Sequence, residues 1–237
     1  MRRILAGLVL AGFLCLPISA AEEEKYVALT FDDGPSGKYT EKLLDGLYGR
    51  GVKATFLLCG YRIAQYPELT QRIFDEGHEI GYHGYSHNSM ETMSRRSIAE
   101  ELIKTRDLLP EDCDPVLFRP PGGIITDGVR QVAQARLLTL LSWSVDPRDW
   151  EGASSSAIEA AVLETVKDGD IILLHDMSFR SVRAALDIVD ALEARGYRFL
   201  TVSELARRRK IRLKPGEICK SLPPQGKNSD STGKKEN

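Results

Sequence analysis

Seven short apolar runs, at residues 26–31, 54–58, 79–82, 116–118, 138–143, 171–174 and 198–202, punctuate the chain. Runs of this length bounded by turn residues read as strands buried on both faces. Between them, residues 40–48, 68–74, 98–109, 157–166 and 182–193 carry apolar side chains at helical spacing. Strand and helix in alternation restrict the chain to a βα-repeat α/β fold, because parallel strands need long crossover connections. Seven strands suit closure into a barrel. Gly51, Gly77 and Gly196 follow three of the helices, and these three and Gly169 each introduce a strand, as glycine in a left-handed helix cap does.

The ends of the chain read differently. Arg2 and Arg3 precede an apolar run over residues 4–18, followed by the small Ser19, Ala20 and Ala21 and the acidic Glu22 to Glu24. This is the layout of a signal peptide, residues 1–20, and implies a secreted or cell-envelope protein with no integral membrane domain once the segment is removed. The run is shorter than the roughly 20 residues a membrane-spanning helix requires. One domain is expected over residues 26–210. From 214 to 237 Pro, Gly, Ser, Asn and Lys dominate, which predicts a disordered tail. The net charge of −2 with 28% charged residues carries no polyelectrolyte signature, so a nucleic-acid partner is not expected. Cys59, Cys113 and Cys219 leave an odd number after the leader, without metal-ligand spacing or a disulfide framework.

The polar residues are not scattered over this map. Asp32 and Asp33 end the first strand, His83 and His87 follow the third, and Arg119 ends the fourth. Asp146 and Asp149 follow the fifth, and His175 ends the sixth. The carboxyl ends of barrel strands are where βα barrels build their active sites. Histidines at i and i+4 can present two imidazoles on one side of a helical turn, and one carboxylate would complete a three-ligand open site for a divalent metal. Asp33 is the natural third ligand. Adjacent aspartates on a strand face opposite ways, so Asp32 and Asp33 should have different roles, with Gly34 and Pro35 bending the chain between them and the next helix.

Five motifs in order carry a family resemblance: TFDDGP at 30–35, HGYSH at 83–87, RPPGG at 119–123, DPRDW at 146–150 and LLHD at 173–176. The chain thereby resembles the polysaccharide deacetylases, carbohydrate esterase family 4, also called the NodB homology domain, over about residues 26–205. The resemblance implies a distorted (β/α) barrel of about seven parallel strands and a monomeric, metal-dependent hydrolase. Asp33, His83 and His87 would hold zinc or another divalent ion such as cobalt or nickel. Asp32 would be the catalytic base, paired with Arg119, and His175 the acid, paired with Asp149 in preference to Asp146. Trp150 and Leu173 would line the acetyl pocket, and the Gly122 N–H would support the oxyanion. The partner implied is an N-acetylated glycan, from peptidoglycan or chitooligosaccharide, that releases acetate. An O-acetyl xylan esterase and an inactive carbohydrate-binding protein of the same fold are the alternatives. The chain departs from the family pattern at Gly84, where serine or threonine is frequent, at Gly122, where an aromatic is common, and at Tyr82, where asparagine is usual. Loosened support of the metal is expected from Gly84.

Overall fold

In the computed structural model, which describes residues 24–225, the expected alternation is present. The strands are β1 (Lys25–Asp32), β2 (Thr55–Leu58), β3 (Glu79–Tyr82), β4 (Leu117–Phe118), β5 (Thr139–Leu141), β6 (Ile171–His175), β7 (Tyr197–Phe199) and β8 (Ile218–Cys219). Their order is β6-β1-β2-β3-β4-β5-β8, with β7 pairing the first half of β1, and every pair is parallel. The sheet curls into a distorted barrel. Single bridges, Val145 to Ile172 and Asp170 to Ser221, span the gap beside β6. The proposed leader, residues 1–20, lies outside the described residues. Among those described, no helix is long and apolar enough to cross a membrane.

The helices are α1 (Lys38–Arg50), α2 (Gly60–Gln65), α3 (Pro67–Asp75), α4 (Arg95–Arg106), α5 (Asp127–Ala135), α6 (Ser155–Thr165), α7 (Phe179–Ala194) and α8 (Val202–Arg208). Neither α2 nor α5 is among the helices expected from the sequence. The first is one short piece starting on glycine, and the second buries only Val129, Val132 and Ala133 behind a Thr126 cap. The strand expected over 198–202 ends earlier, at Phe199. Thr201 and Glu204 exchange side-chain-to-backbone hydrogen bonds in a capping box, which starts α8 at Val202.

Alternation along β1 sorts the core into two layers. Val27, Leu29 and Phe31 face outward into a cluster with Leu43, Leu44 and Leu47 of α1 and Ile188 and Leu192 of α7. Tyr26 and Ala28 face inward to Leu57, Leu117, Leu141 and Ile171, with Val202 and Leu205 of α8 in the same cluster. A third cluster joins Phe118 and Tyr82 to Ile98, Leu102 and Val129 beneath α4 and α5. The inward column of β1 continues through Thr30 to Asp32. Its apolar half fills the barrel and its polar half reaches the site.

The expectation of a disordered tail from 214 is corrected over residues 214–225. β8 pairs β5, the Leu140 N–H donates to the Glu217 carbonyl at 3.0 Å, and the Ser142 N–H donates to the Cys219 carbonyl at 2.8 Å. Leu222 is 1% exposed within the inner cluster, and its N–H donates to the Gly169 carbonyl at 2.7 Å. Gly169 has φ +90°, and a β-carbon there would fall 2.4 Å from the Leu222 carbonyl oxygen, so only glycine admits this segment. Polar composition hid the docking because a two-residue strand and one leucine do the anchoring. Residues 226–237 lie outside the described part of the chain. Leu222→Ala is therefore expected to cost about 2–5 kcal/mol of stability, and truncation after Leu213 more than that. Urea unfolding monitored by circular dichroism measures both.

Candidate active site

At the carboxyl end of the barrel, Asp33 leaves β1 with φ +73° and His87 sits in the loop after β3 with φ +61°. Non-glycine residues in the left-handed region carry a cost of roughly 1–3 kcal/mol each, and such residues cluster where geometry serves function. His83 is buried, and its Nδ1–H donates to the Arg119 carbonyl at 2.7 Å, which turns Nε2 toward the aspartate. Asp33 Oδ1 lies 3.2 Å from His83 Nε2 and 2.9 Å from His87 Nε2. The candidate donor atoms of these three residues lie within 4.8 Å of one another. Asp33 Oδ1 is buried and accepts no hydrogen bond of acceptable geometry. Two imidazole nitrogens converging on one buried carboxylate oxygen fit a divalent cation. Burial acts to raise the Asp33 carboxyl, but the two histidines outweigh it and hold it well below the usual carboxylate range.

The loop that carries His87 is tied down from α4. One Glu101 carboxylate oxygen accepts from the Tyr85 N–H, the Ser86 N–H and the Ser86 hydroxyl, at 2.8, 2.8 and 2.9 Å. Gly84 has φ +81°, and a β-carbon there would meet Met90 Cε at 2.8 Å. Glycine therefore suits this turn, and Glu101 supplies loop support that the Gly84 departure put in question.

Arg119 is wholly buried at the end of β4. Its NH1 donates to Asp32 Oδ1 at 2.6 Å and to the Thr30 hydroxyl at 3.0 Å, and NH2 donates to the Ser142 carbonyl at 2.9 Å. Asp32 Oδ2 remains, 3.9 Å from His83 Nε2. The expected pairing of Arg119 with Asp32 is thus a direct contact.

Across the site, His175 Nδ1 lies 2.8 Å from Asp149 Oδ1, and the His175 N–H donates to Asp149 Oδ2 at 2.9 Å. Asp149, which is buried, is the aspartate that pairs with His175. Asp146 instead accepts from the Arg148 N–H at 2.9 Å. Burial acts to lower the His175 pKa, but Asp149, with Asp32 and Asp33 beyond it, pushes it up to about 9. Next in sequence, Asp176 is fully buried and accepts a hydrogen bond from Thr40, while Ser36 donates to its carbonyl. Burial pushes its carboxyl up to about 7. A β-carbon on Gly34 would fall 2.6 Å from either Asp176 oxygen. The glycine of the first motif thus makes room for the acid of the fifth.

Asp32, Asp33, His83, His87 and His175 face one open hollow of about 380 Å³, walled by Gly122, Trp150 and Leu173. Arg119 and Asp149 stand behind Asp32 and His175. The residues expected to bind metal, transfer protons and line the acetyl pocket therefore meet in one place. Trp143 also lines the hollow, stacked over the Arg119 guanidinium at 5.4 Å, and sequence reasoning missed it because it ends an apolar run. Thr30, Thr40, Glu101 and Asp176 were missed as well, although Thr30 opens the first motif and Asp176 closes the fifth. Tyr82 belongs to the cluster under α4 and α5 and not to this hollow, so its departure from the family pattern does not shape the site. His78, the remaining histidine, is buried away from the hollow and accepts from the Ala54 N–H at 3.1 Å.

The polysaccharide deacetylase family model matches residues 19–140. A peptidoglycan-N-acetylglucosamine deacetylase of Bacillus cereus is 40% identical over 190 residues, covering 78% of this chain and 89% of that protein. The peptidoglycan-N-acetylglucosamine deacetylase PgdA of Listeria monocytogenes is 35% identical over 191 residues, covering 79% of this chain but only 40% of its own longer one. Among solved structures, a family 4 acetyl xylan esterase from Clostridium thermocellum in complex with a cobalt ion superposes with a TM-score of 0.78 at 33% identity, covering 84% of this chain and all of that one. Motifs, fold and strand-end site agree with these matches, and the chain belongs to the polysaccharide deacetylase family, carbohydrate esterase family 4.

Proposed function

We propose that the protein hydrolyses the acetamide of N-acetylated sugars in a cell-wall glycan, releasing acetate, and that it does so outside the cytoplasm after removal of residues 1–20. One observation carries the reading: a carboxylate paired to arginine and a histidine paired to aspartate flank a two-histidine, one-aspartate cluster in a single hollow. The names of the Bacillus and Listeria relatives support peptidoglycan as the polymer.

Asp33, His83 and His87 would hold the metal, for which zinc suits the donor set and cobalt or nickel would serve. When bound, it supplies a Lewis acid that polarises the amide carbonyl and acidifies water. The residues of the chain do the rest. Asp32 spends Oδ1 on Arg119 and keeps Oδ2 to take a proton from the attacking water. Protonated His175 donates Nδ1–H to Asp149, which leaves Nε2–H for the departing amine. Trp150 and Leu173 enclose the acetyl methyl, and the Gly122 N–H supports the developing oxyanion.

The deciding experiment is acetate release from peptidoglycan strands and chitooligosaccharides by the mature protein, freed of metal and then reloaded. Asp32→Asn is expected to keep its metal and lose about 10²- to 10⁴-fold in kcat. Full activity in that variant would place the base elsewhere. His83→Ala and His87→Ala are each expected to lose the metal, because an open three-ligand site has no redundancy. Elemental analysis after gel filtration reads the outcome.

The raised His175 pKa fixes the direction of a pH effect. The acid is present below the folded pKa, about 9 without metal, and is lost as pH rises through it. A bound cation offsets the contribution of Asp33, so the alkaline limb of kcat in the loaded enzyme lies lower than 9. Asp149→Asn removes the main raising partner and is expected to move that limb further down, toward the ordinary imidazole value of 6.5. An unchanged limb would remove His175 from the role of acid.

A further inference from the structure

A second hollow, of about 400 Å³, opens beside the first and shares Asp33, Trp150 and His175 with it. Its volume falls within the roughly 300–1,000 Å³ of small-ligand pockets. Its outer walls are unusual for a protein surface: Trp150 is 60% exposed and Phe179 58% exposed, two large aromatic faces with neither buried in a core. Exposed aromatics at the mouth of a site offer apolar faces that the C–H face of a pyranose can cover.

The charge at this rim is one-sided. The Arg180 NH1 donates to the Gly152 carbonyl at 2.8 Å, which holds the guanidinium at the edge of the hollow, and no carboxylate lies within ion-pair distance of it among the described residues. Lys42 Nζ lies 5.8 Å from the centre of the Phe179 ring and likewise has no carboxylate partner there. The first turn of α7 contains no acidic residue. Carboxylates nearby are engaged otherwise: Asp33 with His83 and His87, Asp149 with His175, and Glu151 with Arg148. Neighbouring cations are satisfied, since Arg183 on the same helix pairs with Asp187.

We propose that this second hollow binds the glycan unit next to the one being deacetylated, and that Arg180 and Lys42 recognise a carboxylate on it. The inference rests on the deacetylase reading and narrows it: a neutral chitooligosaccharide leaves both cations unpaired, whereas a strand alternating N-acetylglucosamine with a lactyl-ether sugar pairs them. Phe179 and Trp150 supply stacking that is blind to charge, and the two cations supply the discrimination. The carboxylate has two chemical sources, the lactyl group itself or the acidic residues of a stem peptide attached through it.

Three substrates separate these: chitooligosaccharide, peptide-free strands with free lactyl carboxylates, and strands retaining stem peptides. For the doubly substituted Lys42→Gln, Arg180→Gln protein, KM on carboxylated strands is expected to rise about tenfold relative to KM on chitooligosaccharide, the scale of one charge-assisted contact. The preference of the unsubstituted protein should weaken with added salt. Phe179→Ala should raise KM on all three. A rise confined to peptide-free strands assigns the carboxylate to the sugar, and one confined to peptide-bearing strands assigns it to the stem. An equal change on all three substrates, or none, overturns the proposal. Calorimetric binding of the same panel needs no turnover. If binding shows the carboxylate preference while no substrate yields acetate, the deacetylase reading fails and the subsite stands; if acetate is released without the preference, the reverse holds.

Discussion

The Arg119 guanidinium is buried beyond the reach of water, at the level where the barrel's apolar filling gives way to its polar rim. A charge there is tolerable only when its donors are met. They are, by Thr30, Asp32 and the carbonyl of Ser142, with the Trp143 face above. Its own main chain extends the connection, for its N–H donates to the Tyr82 carbonyl and its carbonyl accepts from His83 Nδ1. One residue therefore joins β1, β3, β4 and the turn after β5. It orients a proposed base through its side chain and a proposed metal ligand through its carbonyl. Removing the side chain would leave Asp32 as a buried carboxylate facing a cavity, which ties stability and chemistry to the same contact.

Much of this was legible because strand geometry is rigid. Period-two alternation along β1 puts Thr30 and Asp32 on the inner face with Tyr26 and Ala28, and neighbouring strand ends then fall at one level. Asp33 escapes the alternation by leaving the strand in a left-handed conformation, which is why two adjacent aspartates reach different partners. The spacing of His83 and His87 suggested a shared ligand face. Their approach to Asp33 comes from a turn held by Glu101, not from a helical turn.

What the sequence concealed was carried by single side chains far from their partners. Nothing in the pattern around Glu101 says that its carboxylate will gather three donors from a loop about fifteen residues earlier. Leu222 was invisible for a related reason. An isolated leucine among prolines and lysines has no periodicity, and its burial depends on a notch that Gly169 leaves in a distant turn. Helix α5 was not foreseen either, although Val129, Val132 and Ala133 line one face of it behind the Thr126 cap. Periodic signals report elements that bury a continuous face, whereas Glu101 and Leu222 each act as a single side chain.

The two proposed proton-transfer groups show how one fold sets opposite tasks a few ångströms apart. Asp32 is given a partner that keeps its charge at any accessible pH, since a guanidinium does not deprotonate in proteins. His175 is given a carboxylate, which favours the protonated imidazole and pushes its pKa up to about 9. The arginine orients Asp32 and leaves its second oxygen free, and the carboxylate beside His175 favours the imidazole that holds a proton in reserve. The partners come from β4 and from the loop after β5, elements adjacent around the barrel, so neither pairing can slip without disturbing the sheet that positions both. Between them stands Asp33, whose strained backbone and orphaned oxygen leave it the carboxylate with capacity to spare for a cation. The division among three aspartates thus follows from what each touches: arginine for Asp32, histidine for Asp149, and for Asp33 two imidazole nitrogens that call for a metal.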